Sequence, residues 1–337
     1  MSNAKRVVGR VIKLAIAGAL LYYIFRVVPF AEVIRTLRSA QPAKVVAGLG
    51  LLFGARLIAA IRMKLLTDRQ GLVFSLSEIF EIGTTATFYG LVLPGIVSGG
   101  LIRWYKLARQ GQSAGALASL TWDRLADATS VALIGVGCWL LSGPSDPRTT
   151  LGPASLGACV VLVGLYLAGF SRRVGALVFP RIEGAARRLR SEWVRTRTAK
   201  VAAAGRRYHE VEGNFPYRVA ALSLASQLVG LAAFVCWSRS LGMSVGFAEL
   251  GWARSCYLLT VLLPITFAGL GAREGILILL LRPYGVSGAE AVALAFIQLS
   301  GTLMMACLGG LFELRRLWPI RRSAKTATTA TALEEDS

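Results

Sequence analysis

The chain has 337 residues, of which 55% are hydrophobic and only 17% are charged, and its formal net charge at pH 7 is +20. Soluble domains carry roughly 25% charged residues, so this composition excludes a soluble multidomain enzyme and is typical of a polytopic α-helical membrane protein. The basic residues flank apolar stretches and no nucleic-acid-binding module is found. The positive charge therefore indicates cytoplasmic loops rather than nucleic-acid binding.

Six apolar segments are long enough to cross a hydrocarbon core of ~30 Å as helices of ~20 residues. After the first of them, Phe30, Ile34 and Leu37 recur at helical spacing, which predicts a short helix lying on the membrane surface. The predicted spans are 11–28, 43–61, 118–141, 151–170, 218–238 and 290–313.

Two further apolar segments, 82–102 and 255–272, contain a proline and clustered glycines at mid-length. If both crossed the membrane, the basic loop 171–212 would lie opposite the basic N-terminus. If both are re-entrant hairpins, most of the basic segments share one face, as the excess of Lys and Arg on the cytoplasmic side requires. We therefore predict an all-α protein with about six full transmembrane helices, two re-entrant helical hairpins and both termini in the cytoplasm.

The two predicted hairpins resemble each other at an offset of 170 residues. The identical pairs are Leu93/Leu263, Pro94/Pro264, Gly99/Gly269 and Arg103/Arg273. Three full crossings lie between the hairpins, so they must enter the membrane from opposite faces. Inverted repeats with helices broken near the midplane, here at the two prolines, are typical of transporters.

The chain divides into a basic cytoplasmic N-terminus at 1–10, a transmembrane domain at 11–316 and a disordered cytoplasmic tail at 317–337. Within the transmembrane domain, the loop 171–212 has apolar residues at helical spacing among many arginines. This pattern indicates an amphipathic helix on anionic headgroups, and the alternative is a solvated connector. The apolar residues are Ile182, Ala186, Leu189 and Trp193.

A charge inside a membrane costs roughly 2.5–3.5 kcal/mol on insertion scales, so each such charge indicates a structural or functional role. Asp123 and Asp127 share a helical face and Arg124 projects from an adjacent one. They either form a structural ion pair or line a polar cavity. Arg56 has no local partner and could meet one of these acids. Glu81 is freer to act than Glu78, which is expected to cap its helix.

Arg103 and Arg273 each follow a glycine cluster, in the second half of a hairpin. A helix that starts at mid-depth presents unpaired N–H groups, and an arginine beside it could add a bidentate contact to a phosphate. The alternatives are an interfacial anchor for Arg103 and an internal ion pair with Glu274 for Arg273. The glycines of this predicted anion site are Gly99, Gly100, Gly269 and Gly271.

No pattern for catalysis is found. The one histidine, His209, lies in the basic loop, and the five cysteines form no CxxC motif. The sequence contains no nucleophile elbow, HExxH or P-loop motif. We therefore expect no enzymatic activity, no metal and no cofactor.

The motifs resemble those of the lysylphosphatidylglycerol synthase transmembrane-region family, the flippase-like domain of multiple peptide resistance factors, over residues 10–316. Two positions depart from the family pattern: Leu101 stands where an acid is common, and Asp123 replaces the usual Glu. The matching positions are Pro94, Gly99, Gly100, Arg103, Arg124, Asp127, Pro264, Gly269, Gly271, Arg273 and Glu274.

This resemblance implies movement of a polar lipid between the leaflets of a bacterial inner membrane. The implied partners are membrane lipids and lipid-biosynthesis enzymes. The aminoacyl-transfer domain of long family members is not found in this sequence, so we expect no lipid aminoacylation. The alternatives are a small-solute secondary transporter and a membrane-embedded lipid-modifying transferase that uses Asp123 or Asp127 as a base.

Overall fold

The structure is a computed structural model, and it describes residues 30–92, 98–142, 151–171, 173–174, 181, 203–208, 213–262 and 272–334. Some of the predicted features lie outside these residues. They are the first span at 11–28, the hairpin breaks at Pro94 and Pro264, the glycines Gly269 and Gly271, and the amphipathic segment that ends at Trp193.

Ten α-helices account for most of the described chain, and the described residues form no strand. A single 3₁₀ turn at Arg282–Tyr284 joins the last two helices. The helices are α1 (Phe30–Arg38), α2 (Pro42–Arg69), α3 (Leu76–Val92), α4 (Ser98–Ala108), α5 (Ser113–Ser142), α6 (Leu151–Phe170), α7 (Phe215–Ser240), α8 (Phe247–Leu262), α9 (Ala272–Leu281) and α10 (Gly288–Glu334).

Among the described residues, five helices are long and apolar enough to cross a membrane: α2, α5, α6, α7 and the Gly288–Arg315 part of α10. They correspond to the second to sixth predicted spans, and the all-α polytopic fold is confirmed. The helix α10 continues to Glu334, whereas the sequence predicts a disordered tail from residue 317. Four alanines in this segment favour a helix, whereas Pro319 and four threonines do not.

The short helix α1 forms where the sequence predicts it, but its apolar face differs. Val33 is fully buried in the main apolar core and Leu37 packs against that core. Ile34 is exposed, so it does not belong to the packed face. The centre of the apolar core lies among α7, α8, α9 and α10, where Phe234 and Leu294 are fully buried.

The first hairpin, α3 and α4, returns to the face at which it begins. The side chain of Gln110, just after α4, accepts a hydrogen bond from the Val73 N–H at 3.0 Å and donates one to the Val73 carbonyl at 2.6 Å. A full crossing would place these two residues on opposite faces of the membrane. At the inner end, Gly99 lies so close to α3 that a Cβ atom there would be 2.8 Å from the Ala86 carbonyl oxygen.

The segment from α2 to α3 has the same backbone as the segment from α7 to α8, at an offset of 171 residues. Gly71 and Gly242 both have a positive φ, 74° and 78°, as the end of a helix often requires. The N–H groups of the next residues bond back to Thr67 at 3.1 Å and to Ser238 at 3.2 Å. The helices α2–α5 therefore correspond to α7–α10 as two repeats.

The two repeats are inverted, because their first helices run antiparallel. The Gln41 N–H, at the start of α2, donates to the Ser240 carbonyl at the end of α7, at 2.9 Å. Arg62, near the end of α2, bonds to Ser223 near the start of α7 at 3.0 Å. The inverted repeat that the sequence predicts is thus present in the helix packing.

Each hairpin packs against the last helix of the other repeat, and glycines make this approach possible. A Cβ atom at Gly135 on α5 would lie 2.7 Å from the Cβ of Ser255 on α8. At the equivalent contact, a Cβ atom at Gly309 on α10 would collide with the backbone of Thr84 and Thr85 on α3. The repeats therefore interlock around the antiparallel pair α2 and α7.

Candidate functional site

The centre of the bundle contains a carboxylate held between two arginines. Asp123 on α5 lies 2.8 Å from Arg62 on α2 and 3.0 Å from Arg103 on α4. Asp123 is 3% exposed and Arg62 is 2% exposed, so these are buried charges. Because the three residues come from three different helices, the ion pairs join α2 and α5 to the first hairpin.

One helical turn further along α5, Asp127 extends this network to the second repeat. It pairs with Arg62 at 3.1 Å and accepts a hydrogen bond from Gln227 on α7 at 2.8 Å. The amide oxygen of Gln227 in turn accepts a hydrogen bond from Arg254 on α8 at 3.0 Å. The prediction that Asp123 and Asp127 share one helical face is confirmed by their common partner, Arg62.

Two arginines near these aspartates form no direct ion pair with them in the described residues. Arg56 forms no ion pair with either aspartate among the described residues, although it lies within electrostatic range of Asp127 and of Arg124. Arg124 is exposed and likewise forms no ion pair in the part of the chain that the structure describes. The cation that holds both aspartates is Arg62.

Sequence reasoning missed Arg62 because a basic residue just after an apolar segment is ordinarily a membrane-surface anchor. The helix α2 continues to Arg69, eight residues beyond the predicted end of that span, so Arg62 lies inside the helix. It also missed Arg254 and Gln227. Their partners are distant in sequence, and local spacing carries no signal for such contacts.

The central cluster, as we call it, has an excess of positive charge. Among the described residues, five arginines stand against two aspartates, which leaves a formal charge of +3. Its members are Arg56, Arg62, Arg103, Arg124, Arg254, Asp123 and Asp127, with Ser223 and Gln227 as neutral partners. Uncompensated charge in a membrane interior is costly, so this arrangement is suited to an anion.

The two hairpin arginines have different surroundings. Arg103 belongs to the central cluster through Asp123. Arg273 is 5% exposed and pairs with Glu274 at 2.9 Å, as the alternative reading of the sequence expects. Of the predicted glycines, Gly99 packs against α3, whereas Gly100 is exposed and has open space around its Cβ position. An anion site at these helix starts remains a prediction.

The predicted acids outside the cluster have separate roles. Ser75 and Glu78 form the expected capping box at the start of α3, where the Ser75 N–H donates to the Glu78 carboxylate at 2.7 Å. Glu81 is half-buried one turn further along α3. A further ion pair, which sequence reasoning missed, joins Lys106 on α4 to Glu313 on α10 at 2.6 Å.

An apolar cavity adjoins the central cluster. It has a volume of about 390 Å³ and lies between α5, α6 and α7. No residue of the cluster lines the cavity, but Tyr166, which does, lies within electrostatic range of Arg62. Tyr166 and Phe170 close the cavity from α6. A polar cationic region and an apolar pocket thus lie side by side.

The described residues contain no group of three or more His, Cys, Asp or Glu side chains that could hold a metal ion.

The comparisons with known proteins gave one match. A family model described as the lysylphosphatidylglycerol synthase TM region matches residues 10–309. The matched range includes both hairpins and every residue of the central cluster. No curated protein and no solved structure matched the chain.

Proposed function

Because this multi-pass membrane protein belongs to the lysylphosphatidylglycerol synthase TM region family, which indicates a lipid-related function, we propose that it moves a polar lipid between membrane leaflets. We further propose that it acts in a bacterial inner membrane with both termini in the cytoplasm. We assign the termini to the cytoplasm because the hairpin arrangement places most of the basic segments on one face of the membrane.

The observation that carries this proposal is the proximity of the apolar cavity to the central cluster. A cluster with a formal charge of +3 would attract a polar, phosphate-containing headgroup. The cavity beside it, at about 390 Å³, lies within the usual range for ligand pockets and would accept part of a hydrocarbon chain. An amphipathic ligand uses both regions, whereas a small hydrophilic solute would use only the first.

The inverted repeat supports movement across the membrane rather than static binding. The antiparallel pair α2 and α7 relates two hairpins that would open toward opposite faces. Each hairpin packs against the last helix of the other repeat, so a rocking motion of one repeat would change access to the cluster from one face to the other.

The proposal is tested with purified protein in liposomes that contain a fluorescently labelled phospholipid. Quenching by an impermeant reductant measures the labelled lipid that reaches the outer leaflet. We expect faster loss of fluorescence than in protein-free liposomes. Arg103→Gln should slow it at least about tenfold, since a charge-assisted contact is worth about 1.5–3 kcal/mol.

The matched control is Arg218→Gln on α7. Arg218 is exposed and forms no ion pair in the described part of the chain, so this variant should behave like the parent. If the parent protein and protein-free liposomes lose fluorescence at the same rate, the proposed lipid movement is wrong.

A further inference from the structure

Three of the five cluster arginines have no carboxylate partner among the described residues. Arg254 is 9% exposed, and the one hydrogen bond its guanidinium makes to a described side chain is the bond to neutral Gln227. Arg124 is exposed beside the paired Asp123. Arg56 is also exposed, although it lies at the middle of α2.

The position of Arg56 cannot be explained as a membrane-surface anchor. It lies 14 residues from Pro42 and 13 from Arg69, which corresponds to roughly 20 Å from either end of the helix. Its side chain is too short to reach either headgroup region from that depth. Arg56 therefore places an exposed positive charge at the middle of the membrane span.

The other two arginines lie near Arg56. The antiparallel register of α2 and α7 places Arg56 opposite Gln227, and Gln227 accepts the hydrogen bond from Arg254. Arg56 on α2 is within electrostatic range of Arg124 on α5 and of Arg254 on α8. Like charges that are gathered at mid-depth repel one another unless an anion lies between them. Three guanidinium groups from three helices offer the planar paired donors that a phosphate accepts.

A cationic headgroup would need a carboxylate partner, and the carboxylates of this region already have partners. The nearest carboxylates, Asp123 and Asp127, are already engaged by Arg62, with Arg103 on one and Gln227 on the other. Glu274 on α9 is engaged by Arg273. A lipid with an added amino group would bring further positive charge into a region that already carries a formal charge of +3.

We propose that Arg56, Arg124 and Arg254 form the headgroup subsite, and that the lipid it accepts carries a net negative charge. The chemical class is an anionic phosphate or phosphodiester lipid rather than an aminoacylated, cationic one. This inference rests on the proposed function for its cellular meaning, but the binding site can be tested independently.

The test measures binding to the full-length protein in nanodiscs of zwitterionic phosphatidylcholine. Fluorescent phosphatidylglycerol is the probe, and unlabelled phosphatidylglycerol, phosphatidylcholine and lysylphosphatidylglycerol are the competitors. We expect phosphatidylglycerol to compete at least about tenfold better than the other two, since each charge-assisted contact is worth a factor of that order.

Variants locate the subsite. Arg56→Gln and Arg254→Gln should each weaken probe binding about tenfold or more, and lysine at either position should restore part of it, since it supplies the charge without the paired donors. Arg218→Gln is the matched control and should bind like the parent. If a glutamine variant does not fold, the competition series with the parent protein still decides the sign of the preferred charge.

The outcomes separate this inference from the proposed function. Equal or better competition by lysylphosphatidylglycerol would overturn the anionic class, even if the protein moves lipids in liposomes. Selective phosphatidylglycerol binding that both glutamine variants retain would overturn the subsite. Selective binding that both variants lose, without any movement of lipid, would support the subsite and refute the proposed function.

Discussion

The substitution Asp123→Asn tests whether the central cluster holds the bundle together. The Asp123 carboxylate accepts a hydrogen bond from the Arg62 Nε at 2.9 Å. It also forms ion-pair contacts with the Arg62 Nη2 at 2.8 Å and the Arg103 Nη1 at 3.0 Å. Asparagine has nearly the same shape but removes the negative charge and turns one acceptor oxygen into an NH₂ donor. That donor would then face a guanidinium group.

The expected loss of stability follows from these contacts. Arg62 keeps Asp127 as a partner, but Arg103 loses the one carboxylate with which it pairs in the described chain. Removal of one partner from a buried ion pair costs about 3–5 kcal/mol, because a charge is left without compensation. We therefore expect Asp123→Asn to unfold at a markedly lower temperature than the parent in the same detergent.

The protein carries its own probes for this measurement. Cys138 and Cys159 are buried, so a thiol-reactive dye labels them only when the fold opens. The control is Arg124→Gln, one residue along α5, where the side chain is exposed and forms no described ion pair. This variant should differ from the parent by no more than about 0.5 kcal/mol.

A second substitution makes the reasoning refutable. If the cost of Asp123→Asn is an unpaired Arg103, then adding Arg103→Gln removes that charge and should recover part of the lost stability. Contacting residues commonly show coupling energies of about 0.5–3 kcal/mol. A double variant that melts below Asp123→Asn alone would mean that Arg103 contributes through other contacts and that the ion-pair account is wrong.

Three further substitutions test contacts between helices by the same melting assay. Gly309→Ala should destabilise the protein, because the new methyl group meets the backbone of α3, whereas Gly50→Ala, which meets nothing within 4 Å, should be neutral or stabilising by up to about 1 kcal/mol. Lys106→Glu should destabilise the protein, because it places two carboxylates together. The double variant, in which Glu313→Lys is added, should recover part of that loss. Tyr208→Phe should cost about 1–3 kcal/mol, because it removes a buried 2.8 Å bond to the Leu66 carbonyl. Burial raises the pKa of Tyr208 from 10 to about 12, so the parent's contribution should be complete below pH 10 and fall as the pH rises toward 12.

The features that could be predicted from the sequence are those set by local patterns. Uninterrupted apolar length located the spans, since a helix must be long enough to cross the hydrocarbon core. The position of Glu78 predicted a helix cap, and the capping box with Ser75 is present. Proline, clustered glycine and the placement of basic residues predicted a hairpin where Gln110 returns to Val73.

The features that could not be predicted depend on which helices meet. Arg62 and Asp123 are 61 residues apart, and Arg62 and Ser223 are 161 apart, so no local spacing connects them. Hydropathy also treats every arginine near a helix end alike. Only the packing of α2 against α5 and α7 distinguishes Arg62, which is buried with two aspartates, from a membrane-surface anchor.

The position of the central cluster indicates one shared site rather than two equivalent ones. Along the antiparallel pair, Lys44 contacts Arg239 and Arg62 contacts Ser223, so Arg56 lies opposite Gln227. At the repeat offset of 171 residues, Arg56 and Gln227 are also equivalent positions. A residue that faces its own equivalent lies on the axis that relates the repeats. A headgroup bound at Arg56 would therefore be equally distant from both membrane faces, and each hairpin would control its access from one side.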